Sequence, residues 1–284
     1  AGATPEEACR PLFFETPAGR LALLNVAEHE FGTVSPAAPG NAPLSPLANI
    51  RAIRDARAQA NLVVIAVHGG HERNPMPSPR MMETYRAFAD AGAAAVFNCH
   101  THCPQGIERW HDVPIVYSPG NFFFPWPERP PTPESAGWWI GYLPRFHFDR
   151  QGVFALDLLP YRFDQQQIFR LSDDSQNAFY AILAELNRRL ADPGTVLRLF
   201  EDWCAHDGPA YLNLLRDRTA RWPIPLDSPD AVRNLLPVRN LFSCESHRDL
   251  LDQFLRLVEE GRVAQALADW PELERLQRAV WPCL

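Results

Sequence analysis

Two short apolar runs, each closed at once by histidines, set the pattern of this chain. Leu62-Val63-Val64-Ile65-Ala66-Val67 runs into His68-Gly69-Gly70-His71-Glu72, and Ala93-Ala94-Ala95-Val96-Phe97 runs into Asn98-Cys99-His100-Thr101-His102-Cys103-Pro104. Short runs of this kind bounded by glycine fit strands buried on both faces, and open α/β sheets place ligands at the carboxyl ends of such strands. Between them, Met81, Met82, Tyr85, Phe88 and Ala89 recur at helical spacing, with Ser78 placed to cap the helix and Gly92 to end it. Strand, helix, strand is one right-handed crossover, so the two runs are predicted to lie parallel and close, with their histidines side by side. A third run, Pro114-Ile115-Val116-Tyr117-Ser118, continues the sheet and ends in Pro119-Gly120-Asn121-Phe122.

The flanking sequence extends this frame. Residues 11–16 and 20–26, joined by Pro17-Ala18-Gly19, carry a hairpin signal. The second of these strands leads into Ala27-Glu28-His29-Glu30-Phe31, which reads either as a substrate-side element or as a solvated loop. Residues 35–48 form a loop, and residues 49–60 return to helical spacing, giving a second crossover. The proline-rich stretch 123–133 is expected to lack regular structure. Residues 138–143, 145–149 and 153–159 then read as an antiparallel meander covering one side of the sheet, with its aromatics serving as core or lid.

From Asp173 onward the apolar period becomes helical, through Phe179, Ile182, Leu183, Leu186 and Leu190 and again through Leu250, Leu251, Phe254, Leu255 and Val258. The expected architecture is α/β, with a layered-sheet core over residues 1–165 and a carboxy-terminal helical appendage over residues 166–284. Cys244, Glu245 and His247, just before the later helical run, read as capping and surface polarity in preference to a catalytic group.

Composition narrows the classes. The 284 residues, 46% hydrophobic, suffice for a packed core, while a net charge of -7 and a pI of about 5.7 argue against a nucleic-acid binder. All the basic side chains are arginine, since lysine does not occur. Neither a membrane span nor a leader is visible in these residues. Six scattered cysteines fit reduced thiols better than a disulfide scaffold. A glycine-rich phosphate loop and a Gly-x-Ser-x-Gly elbow are both missing.

Imidazole is a common ligand for zinc, iron and related metals, and ligands must converge from rigid elements. His68, His100 and His102 are therefore the candidate metal ligands. The competing reading makes them solvated loop residues. A compact zinc knot of Cys99, His100, His102 and Cys103 is disfavoured, because ligands so close in sequence rarely complete a tetrahedron around one ion.

His100-Thr101-His102-Cys103-Pro104 resembles the last motif of the calcineurin-like metallophosphoesterases, Gly-His-x-His-x-Pro, here led by Asn98-Cys99. Together with Val67-His68-Gly69-Gly70-His71-Glu72 and Tyr117-Ser118-Pro119-Gly120-Asn121-Phe122, it resembles the CapA/PgsA family of poly-γ-glutamate capsule synthesis, which is placed in that superfamily. The resemblance covers roughly residues 1–163. It implies a metallophosphatase-like layered sheet and metal-assisted hydrolysis or transfer at a phosphoester, with two divalent ions of manganese, iron or zinc.

In that reading His68, His100 and His102 are ligands, His71 and Glu72 handle protons or stand behind the ligands, and Asn121 supports the site. The family's amino-terminal Gly-Asp, Asn-Leu-Glu and Asn-Asn-His motifs are not found here. The chain is accordingly expected to be a fragment, a processed form or one half of a split protein, needing a partner chain or missing segment to complete the site. The substrate would be a small molecule or polymer, and the location cytoplasmic, or membrane-associated through that missing segment. The alternative is a non-catalytic binding or scaffold component of capsule polymer assembly.

Overall fold

The computed structural model describes residues 1–126, 128, 130–220, 222–223 and 225–284. Pro127 and Arg129, in the stretch expected to lack regular structure, lie outside the described residues. A four-residue turn of helix, α1 (Pro5–Ala8), leads into the hairpin of β1 (Leu12–Thr16) and β2 (Gly19–Ala27). Then follow α2 (Pro46–Arg57), β3 (Leu62–His68), α3 (Pro79–Asp90) and β4 (Ala95–Cys99). The helix α3 starts where its sequence says it should: the Ser78 hydroxyl accepts from the Met81 N–H at 3.3 Å, and Pro79 opens the first turn.

The remaining strands of the main sheet are β5 (Ile107–Trp110) and β6 (Val113–Val116). The order is β1-β2-β3-β4-β6-β5, with β2, β3, β4 and β6 parallel and both edge strands antiparallel. The third predicted run, β6, thus lies beside β4. The strand β5 was not anticipated, because Ile107-Glu108-Arg109-Trp110 is a polar edge strand without an apolar run.

The meander is simpler than expected. Two predicted strands merge into one, β7 (Ile140–Phe148), which carries Pro144 without a break, and residues 138–139 belong instead to a 3₁₀ turn (Pro133–Trp139). β7 pairs with β8 (Val153–Phe163), and β8 with β9 (Ile168–Arg170), all antiparallel. The helices α4 (Asp173–Leu190), α5 (Pro193–Thr219), α6 (Pro229–Ser243), α7 (Glu245–Glu259), α8 (Val263–Ala266) and α9 (Trp270–Arg278) complete the chain.

Alternation along β4 assigns its two faces. Val96 joins Val63, Ile65, Ile53, Tyr85 and Phe88 in one apolar cluster, and the same cluster continues into Leu199, Trp203, Leu250 and Phe254 of the later helices. Phe97 on the opposite face packs with Val116, Ile140, Tyr142, Phe179 and Leu183. The carboxy-terminal helices therefore bury their stripes against the sheet layer itself, and α7 is drawn in tightly because Gly208 of α5 offers no Cβ to the Phe254 ring. Seating α7 this way brings its amino end to the carboxyl ends of β2, β3 and β4.

Candidate functional site

Parallel register decides which side chains meet. Ala27 pairs with His68, and His68 with Cys99, so three strand ends finish in one row and the next residues, Glu28, Gly69 and His100, leave the sheet together. Two ladder bonds continue past the strands, from Glu28 N–H to His68 O and from Gly69 N–H to Cys99 O, both 3.0 Å. The buried Asn98 side chain then ties the loops from below, donating to Gly69 O at 3.0 Å and to Tyr117 O at 2.6 Å.

Above this row the histidines converge. His68 Nε2 and His100 Nδ1 stand 3.0 Å apart, and the His100 and His102 rings are 5.9 Å apart. His102 Nδ1 lies 2.7 Å from Asn121 Oδ1, a contact that requires the ring to donate from Nδ1 and leaves Nε2 with its lone pair. Trp138 stacks on the same ring at 4.5 Å, and Phe124 meets its edge at 5.4 Å. The backbone also marks the site: His100 and His102 both have positive φ, 126° and 57°, conformations unfavourable for a residue with a Cβ and held only where the surroundings demand them.

Carboxylates border the cluster. Glu30 Oε1 is 3.5 Å from His100 Nε2, and Glu72 Oε1 is 4.0 Å from His102 Nε2. Burial lowers the pKa of His100, helped by the neighbouring His102 and outweighing the pull of Glu72 and Glu28, so the neutral form that can coordinate is favoured. Burial, with Glu28 and Glu72 nearby, pushes the Glu30 carboxyl up. The donor set fits a divalent cation: a 3.0 Å nitrogen separation is close to that of two ligands at a right angle on an ion with metal–nitrogen bonds of about 2.1 Å. Imidazoles with carboxylates suit zinc, iron or manganese.

The other predicted residues are placed differently from one another. Asn121 sits against His102, as described, while Glu72, though at the solvent edge, offers a carboxylate oxygen within 4.8 Å of ligand atoms of both His100 and His102, a grouping that leaves His68 out. His71 is buried, with its Nε2 donating to Ser246 O at 2.9 Å and its ring against Phe200, so it faces α7 and the core while His68 faces the cluster. Burial lowers its pKa to about 4. Cys103 points away as well, its thiol donating to Asn74 O at 3.2 Å, so it shares no knot with the histidines.

Two features were read too blandly from sequence. The Glu28 loop is no solvated turn, for Glu28 is 1% exposed and bonded to Arg80 at 2.6 Å and to Ser246. Burial alone would raise its carboxyl, but the Arg80 guanidinium and the Ser246 hydroxyl hold it down at about 2. Cys244 does occupy the N-cap position of α7, yet its side chain makes no capping bond and is buried against Glu28. The only sequence signal for these contacts was the density of polar residues around positions 28–30 and 244–247.

A cavity of about 500 Å³ is lined by Cys103 of the His102 loop, by Trp138, which stacks on His102, and by Trp126, Trp203 and Trp270, but His68, His100 and His102 do not line it. The strand-end chemistry, more than this concavity, therefore defines the site.

Fold and site define an α/β protein with histidines gathered at the carboxyl ends of parallel strands. Residues 1–125 match the family described as "Bacterial capsule synthesis protein PGA_cap". Over 124 residues the chain is 32% identical to "PGA biosynthesis protein CapA" of Bacillus subtilis (strain 168), covering 43% of this chain and 30% of that protein. Over 128 residues it is 32% identical to "Capsule biosynthesis protein CapA" of Bacillus anthracis, covering 43% of this chain and 29% of that protein. The first 125 residues are thus similar to the PGA_cap capsule synthesis proteins, CapA among them. The match spans less than a third of the length of these curated relatives.

Proposed function

We propose that this chain forms the histidine side of a divalent-metal centre for hydrolysis or transfer at a phosphoester or related bond, serving capsule polymer biosynthesis. The observation that carries the reading is the gathering of His100, His102 and Glu72, whose ligand atoms lie within 4.8 Å of one another, with His68 Nε2 a further 3.0 Å from His100 Nδ1. A divalent cation bound there would supply Lewis-acid polarisation of the scissile group.

The chain's own residues supply holding and orientation. His68 and His100 are set by the ladder register, and His102 is fixed in tautomer by Asn121 and in plane by Trp138. Glu72, open to solvent beside His102, is placed to take up or return a proton. The association with poly-γ-glutamate capsule comes from the names of the relatives. A second reading, a non-catalytic binding component of the same assembly, is favoured by the tryptophan-lined cavity next to the His102 loop.

Elemental analysis of the purified chain separates them. The metal reading expects bound manganese, iron or zinc, largely lost in a His100→Ala, His102→Ala variant, and a phosphodiester screen then follows on the loaded protein. Metal absent from the wild-type chain, even after incubation with each cation, would leave the binding reading standing.

A further inference from the structure

The loop after β2 and the amino end of α7, more than two hundred residues apart in sequence, form one polar seam. His29 N–H donates to Glu245 Oε2 at 2.9 Å, His29 Nδ1 lies 2.6 Å from Glu245 Oε1, and Ser243 Oγ donates to His29 O at 2.9 Å. Three carboxylates are gathered here: Glu28 pairs with Arg80 and Glu245 with His29, both at 2.6 Å. Glu30 is the third. Its Oε1 lies between His100 Nε2, at 3.5 Å, and the Cys244 thiol, at 3.9 Å.

Glu30, Cys244 and His247 each offer a ligand atom, and these atoms lie within 4.8 Å of one another. Cys244 is fully buried. The His247 ring is flanked by the Asn240 amide nitrogen, 3.3 Å from Nδ1, and by Tyr211 edge-on at 5.4 Å; turning the amide over would bring its oxygen to Nδ1 and free Nε2 as a ligand atom. Asn240 also accepts the Cys244 N–H on its backbone oxygen at 3.0 Å, so the last turn of α6 orients both residues. Cys244 and His247, three apart at the start of α7, are met by Glu30 from the loop after β2, so the three donors close on one point from two elements.

We infer that Glu30, Cys244 and His247 form a second cation site, selective for zinc-class ions, through which the carboxy-terminal helices lock onto the strand ends. A thiolate with an imidazole and a carboxylate is a borderline-soft donor set that favours zinc over magnesium or calcium, and a water completes four ligands. Binding replaces the thiol proton, which leaves to solvent, by a sulfur–metal bond. The site shares the Glu30 side chain with the edge of the histidine cluster but does not depend on a metal there.

Cobalt(II) titration of the full chain tests this, because a cobalt–thiolate bond absorbs in the near ultraviolet where cobalt–imidazole and cobalt–carboxylate bonds do not. The expected result is a thiolate band saturating at one equivalent and displaced by zinc. It should be abolished in Cys244→Ser, need at least tenfold more cobalt in His247→Gln, and persist in Cys99→Ser and in the His68→Ala, His100→Ala double variant. No thiolate band in the wild-type chain overturns the inference, whatever the variants do. So does a band that survives Cys244→Ser, or one that vanishes with Cys99→Ser, since Cys99 lies 3.5 Å from His68 Nδ1. A thiolate band in a wild-type chain that binds no further cation through the histidines would leave this inference standing and sink only the hydrolytic centre.

Discussion

Ser246, at the second position of α7, gives Glu28 both its backbone N–H, at 3.2 Å, and its hydroxyl, at 2.5 Å. The carboxylate also receives the Arg80 guanidinium at 2.6 Å, and Arg80 in turn pairs with Asp249 one turn along α7. A buried carboxylate satisfied in this way binds the last third of the chain to the strand ends. Glu28→Gln keeps the shape and removes the charge, leaving Arg80 short of a partner. Breaking such a pair costs about 3 to 5 kcal/mol, which should appear as a fall in the urea midpoint with an unchanged slope.

Gly69 is the reason the Glu28 side chain can lie over the end of β3. A Cβ at that position would stand 2.6 Å from Glu28 Cγ, so Gly69→Ala should push the carboxylate out of its bonds. Overpacking of this kind costs about 1 to 3 kcal/mol. Thermal melting of Gly69→Ala in the Glu28→Gln background checks the mechanism: the two losses should sum to less than their separate values, because they disturb one contact.

Asn121 reaches the histidine cluster from the segment after β6. If its amide oxygen sets the His102 tautomer, Asn121→Ala should weaken metal binding by about 10- to 100-fold while leaving the His68 and His100 pair in place. Titration with zinc against a chelator of known affinity reads the change directly. Unaltered affinity would show that Asn121 does not orient a ligating His102.

A pH dependence arises away from the site. Asp202 on α5 is buried with neither oxygen hydrogen-bonded among the described residues, and burial, followed by the nearby Asp269, pushes its carboxyl up from 3.8 to about 7. The folded chain keeps a proton that the unfolded chain releases between these values, so the contribution of Asp202 to stability falls as pH rises from about 4 to about 7 and then levels, against the opposite contribution of the buried His71. Asp202→Asn should remove that slope and be the more stable protein at pH 8. Urea unfolding of both proteins at pH 5 and pH 8 provides the comparison.

Much of the main sheet was legible because its signals are local. Each apolar run of β3, β4 and β6 is short and bounded by turn residues, and Ser78 caps α3 as its position implies. The histidine pair after β4 could be placed at a strand end for the same reason. The polar edge strand β5 escaped notice, since Glu108 is there to meet Arg86 at 2.5 Å and Tyr117 at 2.7 Å, contacts with no local periodicity. The single long β7 was hidden by Pro144, which breaks the pattern but is tolerated in an antiparallel pair with Leu158.

What the sequence by itself determined was the parallel core of the main sheet and the neighbouring of His68 with His100, because short apolar runs, capped helices and crossover handedness follow from local rules. Only the tertiary structure decided what faces those histidines. The meeting of Glu28, Glu30 and Cys244 depends on α7 packing through Leu250 and Phe254 into the same apolar cluster as the sheet, and burial of an amphipathic face does not specify its partner in advance. Until that packing is known, Cys244 and His247 look like polar residues at the start of a helix; once it is known, they stand beside the strand ends.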